Sequence, residues 1–505
     1  MSLTSFPFIV SFILSIGIYY FVPKRFQWVI LFVFSTLFFL ASSRSFTIVY
    51  LSISIVSVFL MSRIIRNKKS VPVLITGIMI NLGMLFVLKY LGFIIENINL
   101  IFIHFGSTIT IPEISLSAPI GISFYTMQII AYMLDVYWDI TEPQEGLLRT
   151  ALFIGYWPQL KSGPIARHND MKAQLYSGHD FSWRNLTFGL QRMMWGIFKS
   201  LVISNRIGIM VDTIYGDTIR YNGFYIWFAA GMFMMQLYTD FSGCMDIVIG
   251  ASECYGIALP ENFRTPFFSR SVQEYWQRWH ITLGGFMKDY VMNPLLRTNT
   301  WRKLAKTIRK HFGKKAAVQI PSYLGMLIVW LLIGLWHGGG WNYIIGQGMW
   351  FFLCIVLGRS LEPVFKRMIR MFRVNTDTFS WHLFQSVRVF ILVAIGNMFF
   401  RIDGLGETFK VMKSGLSHWN PWIFFDGSLY KLGISDKEFM LVIVGLQILL
   451  VVSALQEKYG SVRDLIARQN YVFRWSIYIF LICGILIYGT YGSGFEAQSF
   501  IYEGF

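Results

Sequence analysis

Long apolar runs separated by short polar or basic segments recur along the whole chain. They lie at 6–22, 26–41, 46–61, 71–95, 118–138, 186–204, 224–238, 245–259, 324–337, 343–357, 384–400, 439–455 and 473–491. A helix of about 20 residues crosses roughly 30 Å of hydrocarbon, and lipid leaves the backbone no other partner than its own helix. The pattern predicts an all-α polytopic membrane protein of about 11–13 transmembrane helices, with further re-entrant or interfacial helices.

Composition agrees with a membrane setting. Of the 505 residues, 55% are hydrophobic and 14% are charged, and the mean hydropathy is +0.52. Soluble domains carry about a quarter charged residues. The run at 6–22 has no basic stretch before it and no small-residue cleavage site after it, so we expect a retained span rather than a signal peptide.

The net charge of +17 arises from basic clusters between the apolar runs. They lie at 63–69, 297–315 and 366–373, and the largest, 297–315, contains no acidic residue. Basic loops stay in the cytoplasm, so we expect cytoplasmic interhelical loops here. Docking of an acidic carrier or of anionic lipid headgroups is the alternative. No recognition module for nucleic acid is visible, so nucleic acid is not an expected partner.

The predicted crossings between residues 139 and 297 are odd in number, whereas basic clusters on one side require an even number. Either one apolar run does not cross, or an additional half-crossing exists. Broken helices are tolerated in membranes where they line a cavity, so a site could lie in this part of the chain.

His337 is the one histidine in a run, 324–358, without Asp, Glu, Lys or Arg. An ionisable group in such a run is costly and usually functional. The adjacent Gly338, Gly339 and Gly340 would end or loosen a helix and allow a substrate close to the backbone. Neutral imidazole suits removal of a hydroxyl proton, so His337 is our first catalytic candidate. A structural histidine bonded to a carbonyl is the alternative.

Polar residues interleaved with aromatic residues form a second candidate region at 240–290. Pro260 and Pro266 argue against one continuous helix through it. The segment 275–280 is expected to be a short interfacial helix, with His280 as the second catalytic candidate or as an orienting interfacial residue. Other candidates for a supporting or substrate-binding role in this region are Asp240, Ser242, Asp246, Asn262, Arg278, Trp279 and Asp289.

The charged candidates leave alternatives open. Asp240, Asp246 and Asp289 could hold an imidazole tautomer, or they could pair helices. Arg278 could meet a phosphate of the donor, or it could extend to the interface. Three of the four cysteines lie in apolar runs, the fourth, Cys244, directly precedes one, and all are expected to be small buried hydrophobic residues. No metal site is expected.

Several motifs resemble the membrane-bound O-acyltransferases, in the bacterial branch that includes alginate O-acetylation proteins and teichoic acid D-alanyl transfer proteins. The matching segments are 119–125, Gln128, 135–137, 158–160, 163–165, 240–246, 262–263, 266–267, 276–283, 335–338 and 500–502. Tyr125 belongs to the first segment, and Trp336 and Asn342 flank or follow His337, which matches the defining histidine of the family. Departures at Cys244-Met245, Gly284-Gly285, Lys288 and Glu503-Gly504 bear on the acceptor and on any C-terminal contact.

The resemblance implies a single transmembrane domain over 1–505, with N-terminal helices at 1–115, a catalytic core at 116–358 and C-terminal helices at 359–505. The helices would surround a central tunnel with His337 at its narrow middle, in a bacterial inner or plasma membrane. No bound cofactor is expected; acetyl-CoA or an acyl carrier protein would be the thioester donor. The implied activity is transfer of acetyl across the membrane for O-acetylation of an extracellular or cell-wall polysaccharide.

The implied partner is an extracytoplasmic esterase-like acetyltransferase or a cytosolic acyl carrier protein, besides membrane lipids and the acceptor. D-alanyl transfer to teichoic acid is the alternative within the resemblance. A transporter with an intramembrane proton-relay histidine is the alternative of another class. Transporters have no need of the 276–280 block together with Trp336 and His337, so this combination favours an enzyme.

Overall fold

The chain folds almost entirely into helices. The computed structural model describes residues 1–114, 116–161 and 163–491, so the predicted motif at 500–502 lies outside the described residues. Within them, extended pairing is confined to one isolated antiparallel bridge, between Phe263 and Trp279. The predicted all-α polytopic fold is confirmed.

Nine helices of the described part are long and apolar enough to cross a membrane. They are Lys24–Ser42, Ser45–Lys68, Val71–His104, Trp183–Gly216, Asn299–His337, Asn342–Ser360, Phe379–Arg401, Asp436–Tyr459 and Tyr471–Tyr488. Phe6–Phe21 is a shorter apolar helix. Each of these ten overlaps a predicted apolar run, because a continuous apolar sequence of this length has few stable alternatives to a helix in lipid.

Two predicted runs form one helix. The runs at 224–238 and 245–259 belong to a single helix, Phe224–Cys254, and the polar residues between them do not interrupt it. Asp240 and Ser242 are buried within this helix, and neither residue type breaks a helix as proline does. The run predicted at 118–138 forms the helix Ile122–Tyr137. Gly121, directly before this helix, has a left-handed conformation (φ +73°).

The basic clusters are helical, so the prediction that they form loops was wrong. Arg63, Arg66 and Lys68 lie in the last turns of Ile48–Lys68. Most of the cluster at 297–315 lies in the Asn299–His337 helix, which is interrupted only at Gly313 (φ +83°). Most of the third cluster lies in Glu362–Met371. Lys and Arg are good helix formers, and interleaved apolar residues give these helices one face to pack. Their cytoplasmic side stays a prediction.

The described chain divides into two compact units, and the first comprises Met1–Ile197 and Gly243–Glu261. Besides the helices already given, it contains Leu147–Gly155, Trp157–Leu160 and His168–Tyr176. Its core is aromatic: fully buried Trp157 has ring centroids of Phe8 at 5.3 Å and Phe38 at 5.4 Å. Such edge-to-face and tilted contacts add to the stabilisation from burial.

Glycine permits a close helix crossing in this unit. A Cβ on Gly189 would lie 2.4 Å from the carbonyl oxygen of Gly250, and one on Gly250 would lie 2.5 Å from that of Gly189. Small residues let membrane helices pack at such short range. Beside this crossing, Arg192 donates to Asp246 at 2.9 Å and to Glu261 at 2.6 Å.

The second unit comprises Phe198–Ser242 and the described residues from Asn262 onward. Its shorter helices, beyond those already given, are Val272–Arg278, Ile281–Phe286, Asn293–Arg297, Leu405–Ser417 and Val462–Ala467, and a π-helical segment runs over Met287–Met292. Trp276 packs its ring edge-on against Trp330 at 4.9 Å and Phe351 at 4.8 Å. This aromatic core holds the 272–297 segment against two long helices and thereby positions the candidate site.

Candidate active site

His337 is the last residue of the Asn299–His337 helix, and its side chain is 2% exposed. Its imidazole lies 5.1 Å from the ring of Trp336 and 5.5 Å from the ring of Phe400, edge-on to each. Gly338 is extended (φ −173°), so the helix ends at the histidine. The predicted break of the helix beside the glycines is therefore confirmed, and the imidazole lies at that break.

The chain turns back immediately after the glycines and packs on the helix that it has just left. A Cβ on Gly334 would lie 2.4 Å from the carbonyl oxygen of Tyr343, and one on Gly338 would lie 2.6 Å from the Tyr343 ring. The buried amide of Asn342 donates to the carbonyl oxygens of Phe399 (3.1 Å) and Ile402 (3.3 Å). Asn342 thus fixes the turn that follows His337 to the end of the Phe379–Arg401 helix.

His280 lies in a hairpin and not in a helix. The Val272–Arg278 helix ends two positions before it, so the helix predicted at 275–280 had the wrong C-terminal bound. Arg264 N–H donates to the Arg278 carbonyl (2.9 Å), and Ile281 N–H donates to the Asn262 carbonyl (3.0 Å). His280 itself is left-handed (φ +49°). That conformation costs an L-residue about 1–2 kcal/mol, so the hairpin must hold it in place.

The His280 side chain is oriented by Asn262. Asn262 Oδ1 accepts from Thr282 N–H (3.1 Å) and from Thr282 Oγ1 (2.9 Å), and it lies 3.3 Å from His280 Nδ1. Because the Thr282 N–H donates to Asn262 Oδ1, this oxygen acts as an acceptor. The hydrogen bond between Asn262 and His280 therefore requires the proton on His280 Nδ1. The basic nitrogen of His280 is then Nε2. Burial lowers the pKa of the His280 imidazole to about 3, so the ring is neutral.

Both histidines contact one indole. The ring centroid of Trp336 lies 5.7 Å from that of His280 and 5.1 Å from that of His337. His280 also contacts Phe241 edge-on at 4.9 Å. Two imidazoles distant in sequence therefore pack against a single tryptophan inside the second unit.

A cavity of about 220 Å³ opens beside His280. Trp276, Trp279 and Trp330 line it with mainly apolar side chains, and Lys288 contributes a cationic one. Among the described residues that line it, His280 is present and His337 is not. An apolar cavity with one imidazole and one cation is suited to a small acyl group on an anionic carrier. A tunnel with His337 at its narrow middle stays a prediction.

Comparison with known sequences identifies the family. Residues 144–401 match the profile of the membrane-bound O-acyltransferase (MBOAT) family. This matched segment contains both histidines and the 240–290 region. The chain belongs to the membrane-bound O-acyltransferase family. It is therefore a multi-pass membrane O-acyltransferase with an acyl donor as substrate.

The names of three curated relatives of this acyltransferase refer to alginate, peptidoglycan and teichoic acid. A probable alginate O-acetylase of Pseudomonas aeruginosa is 28% identical over 410 residues, 80% of this chain and 72% of the relative. A peptidoglycan O-acetyltransferase of Helicobacter pylori is 29% identical over 368 residues, 67% of this chain and 64% of the relative. A teichoic acid D-alanyltransferase of Bacillus subtilis is 28% identical over 240 residues, 46% of this chain and 57% of the relative.

Arg278 is engaged in ion pairs in the acyltransferase. Its guanidinium lies 2.8 Å from a carboxylate oxygen of Glu274, one turn earlier, and 2.8 Å from one of Glu457. It also donates to Thr265 Oγ1 at 3.2 Å. These contacts tie the histidine hairpin to the end of the Asp436–Tyr459 helix. They give Arg278 a positioning role, and the predicted contact with a donor phosphate remains a prediction.

A buried cation near the hairpin was missed by the sequence analysis. Lys199 is 2% exposed; its ammonium donates to Ser242 Oγ at 2.7 Å and lies 5.7 Å from the centre of the Tyr238 ring. Tyr238 in turn lies 6.0 Å from Trp279. The signal was available, because a lysine within the apolar run 186–204 is as costly in lipid as the histidine at 337.

The structure places the remaining predicted residues in different surroundings. Asp240 is buried in the second unit near Ser242, whereas Asp289 is exposed. Tyr125, Gln128 and Asp246 belong to the first unit. There, Gln128 Nε2 donates to Gln159 Oε1 at 2.7 Å, and Asp246 pairs with Arg192. The second unit thus brings together His280, His337, Trp336, Trp279 and Asn262 through direct contacts, and Asn342 fixes the adjoining turn.

Proposed function

We propose that this acyltransferase takes an acetyl group from a cytosolic thioester and passes it across the membrane for O-acetylation of an extracellular or cell-wall polysaccharide. The observation that carries the proposal is the pair of imidazoles around Trp336 within a chain of this family. Acetyl as the transferred group is supported by the extent of the alignments. Alignment with the alginate O-acetylase covers 80% of the chain, and alignment with the D-alanyltransferase covers 46%.

The proposed chemistry assigns His337 as general base. Its imidazole takes the proton of the attacking hydroxyl, and the hydroxyl oxygen then forms a bond to the thioester carbonyl carbon. The carbon–sulfur bond breaks, and the imidazolium returns the proton to the leaving thiolate. Neutral imidazole is required at the start.

His280 has a second role in this scheme. Its Nε2 is the nitrogen left to act, since Nδ1 donates to Asn262. Because His280 lines the apolar cavity, we assign it to contact the donor or its carbonyl group. Lys288, at the same cavity, would attract phosphate groups of an acetyl-CoA donor. Trp279 and Trp336 wall the site and limit access of water, which would otherwise hydrolyse the thioester.

The partners and location follow from the proposed direction of transfer. A bacterial inner or plasma membrane separates a thioester made in the cytoplasm from a polysaccharide acceptor outside it. An extracytoplasmic esterase-like acetyltransferase would provide the attacking hydroxyl, become acetylated itself, and then pass the acetyl group to a hydroxyl of the polymer. The alternative of a transporter is not retained, because the chain belongs to a family of acyltransferases.

D-alanyl transfer to teichoic acid from a carrier protein is the second candidate. It is compatible with the basic face of residues 299–312, whose exposed members are Arg302, Lys303, Lys306, Arg309 and Lys310. An acidic carrier would be drawn to such a face. The phosphates of an acetyl-CoA donor would be attracted equally, so the charge does not choose between the donors.

Mass spectrometry of cell-surface glycans tests the choice. Cells with the wild-type gene, with the gene deleted and with His337→Ala are compared for O-acetyl and for D-alanyl ester. We expect O-acetyl to fall in the deletion and in His337→Ala, and to persist in the control His418→Ala, whose histidine is exposed. Unchanged O-acetyl with loss of D-alanyl ester would reject acetyl transfer and select the second candidate.

A further inference from the structure

The helix Glu362–Met371, which we call the surface helix, has two distinct faces. At 100° per residue, one face collects the apolar side chains Val364, Phe365, Met368, Ile369, Met371 and the following Phe372. The opposite face collects Lys366, Arg367 and Arg370. None of its ten residues, all of which the structure describes, is buried. A helix that forms with a fully separated apolar face requires some partner for that face.

The apolar side chains of the surface helix are open to their surroundings. Phe365 is 43% exposed, Met368 is 45% exposed and Met371 is 65% exposed. Patches of this kind, edged by charge, mark interaction sites. The sole acid of the helix, Glu362, is paired with Lys366 at 2.6 Å, so the polar face retains a surplus of positive charge.

The chain holds the surface helix at the end of the membrane spans. It begins directly after Leu361, which follows the apolar helix Asn342–Ser360, and only residues 372–378 separate it from the apolar helix Phe379–Arg401. One residue of extended chain covers at most about 3.6 Å, so the short connection at 372–378 limits how far the surface helix lies from the next apolar helix. The surface helix therefore stays close to the membrane surface at which both neighbouring helices end.

The other large basic cluster provides an internal contrast. Residues 299–312, which we call the basic helix, are also amphipathic. Most of their apolar face is occupied by the protein itself: Ile308 is buried, and Trp301 Nε1 donates to the Pro321 carbonyl at 3.1 Å. Phe312, next to the break at Gly313, is the one large apolar side chain of the basic helix that is exposed (72%). The surface helix instead exposes most of its apolar face together with its charge.

We propose that the surface helix is a binding element for anionic phospholipid, lying in the membrane surface with Phe365, Met368 and Met371 among the acyl chains. Lys366, Arg367 and Arg370 then face the headgroup phosphates. Amphipathic helices with basic polar faces bind membranes by this combination of apolar burial and charge. The complementary charge of the headgroups and the tether to two spans favour this occupant over a soluble protein.

Site-directed spin labelling of the full-length protein in proteoliposomes tests the proposal. Single cysteines replace residues 364–372 one at a time in a background with Cys354→Ser and Cys483→Ser, since the two remaining cysteines are buried. Power saturation then compares access of oxygen, which concentrates in lipid, with access of a water-soluble nickel chelate. We expect oxygen to be favoured at 365, 368 and 371, and nickel at 366, 367 and 370. Labels at 303, 306 and 310 of the basic helix are the matched control and should favour nickel throughout.

A second arm tests the requirement for anionic lipid. Vesicles of phosphatidylcholine alone are compared with vesicles that contain phosphatidylglycerol. Anionic lipid should shift the labels at 365 and 368 deeper, and the combined variant Lys366→Gln, Arg367→Gln, Arg370→Gln should abolish that shift. Nickel access on both faces in anionic vesicles would overturn the proposal and leave the helix to a soluble partner. Equal depth in both lipid mixtures would also overturn it, because headgroup charge would then contribute nothing.

Discussion

The two buried histidines are held in opposite ways. His280 is fixed by its backbone: a left-handed conformation, a short hairpin and Asn262 constrain it within residues 262–282. His337 ends a long helix, and the ring of Phe400, from a later helix, packs against it. A local hairpin thus constrains His280, whereas a contact between long helices helps to hold His337.

The difference indicates which substitutions disturb chemistry and which disturb the fold. A residue at a helix end that is held by packing can lose its imidazole while the helix remains in the membrane. A residue that a hairpin holds in a strained conformation cannot be changed without affecting the hairpin. We therefore expect activity and stability to separate at His337 and to fall together around His280.

His337→Ala should give the largest effect on activity. Removal of a general base costs about 10²–10⁴-fold in rate, and the variant should still insert and melt within a few degrees of the wild type. Acyl transfer by purified protein and a thermal unfolding assay measure the two quantities. His418→Ala is the control, and wild-type activity in His337→Ala would end the assignment of the base.

His280→Ala and His280→Asn together should sharpen the comparison. Both should reduce the rate of transfer by about 10²-fold, which is the lower end of the range for loss of a proton-transferring group. Asparagine tolerates the left-handed conformation and can bond Asn262, so its melting temperature should stay above that of the alanine variant. Equal melting temperatures for the two variants would contradict the assignment of strain to this position.

Asn262→Ala should destabilise the hairpin by about 1–3 kcal/mol, because buried partners lose their acceptor. His280 should also lose its fixed orientation, so kcat should fall while KM changes little. Chemical unfolding and steady-state kinetics separate these effects, with exposed Asn375→Ala as the control. A change confined to KM would indicate a role in substrate binding in place of positioning.

Arg278→Gln and Glu457→Gln should have the smallest effect. Their side chains are 19% and 35% exposed, and partly solvated pairs contribute about 0–1 kcal/mol. Each single variant and the double variant should lower the melting temperature by similar small amounts, so that the double-mutant cycle isolates the pair. Strongly additive losses would show that the two residues act independently of each other.

The sequence predicted the helical membrane fold and singled out both histidines as candidates, because each depends on local properties. A long apolar run must form a helix in lipid, and His337 stands out as an ionisable residue within such a run. His280 stands out in a region where polar residues are interleaved with aromatic ones. The predicted helix bounds differed from the structure where polar residues lie between apolar ones, as in the helix Phe224–Cys254, which was predicted as two runs. The basic clusters were expected in loops, although their periodicity already contained the helical pattern that the structure reveals.

Contacts between distant segments could not be predicted. That Trp336 contacts His280, that Phe400 contacts His337, and that Lys199 reaches Ser242 each depend on how helices pack. Similar apolar helices can pack in many registers, and no local pattern in one sequence selects among them. The sequence by itself determined that this chain spans a membrane and carries two candidate imidazoles. Only the tertiary structure decided that both imidazoles meet at one indole, because that meeting is a property of packing.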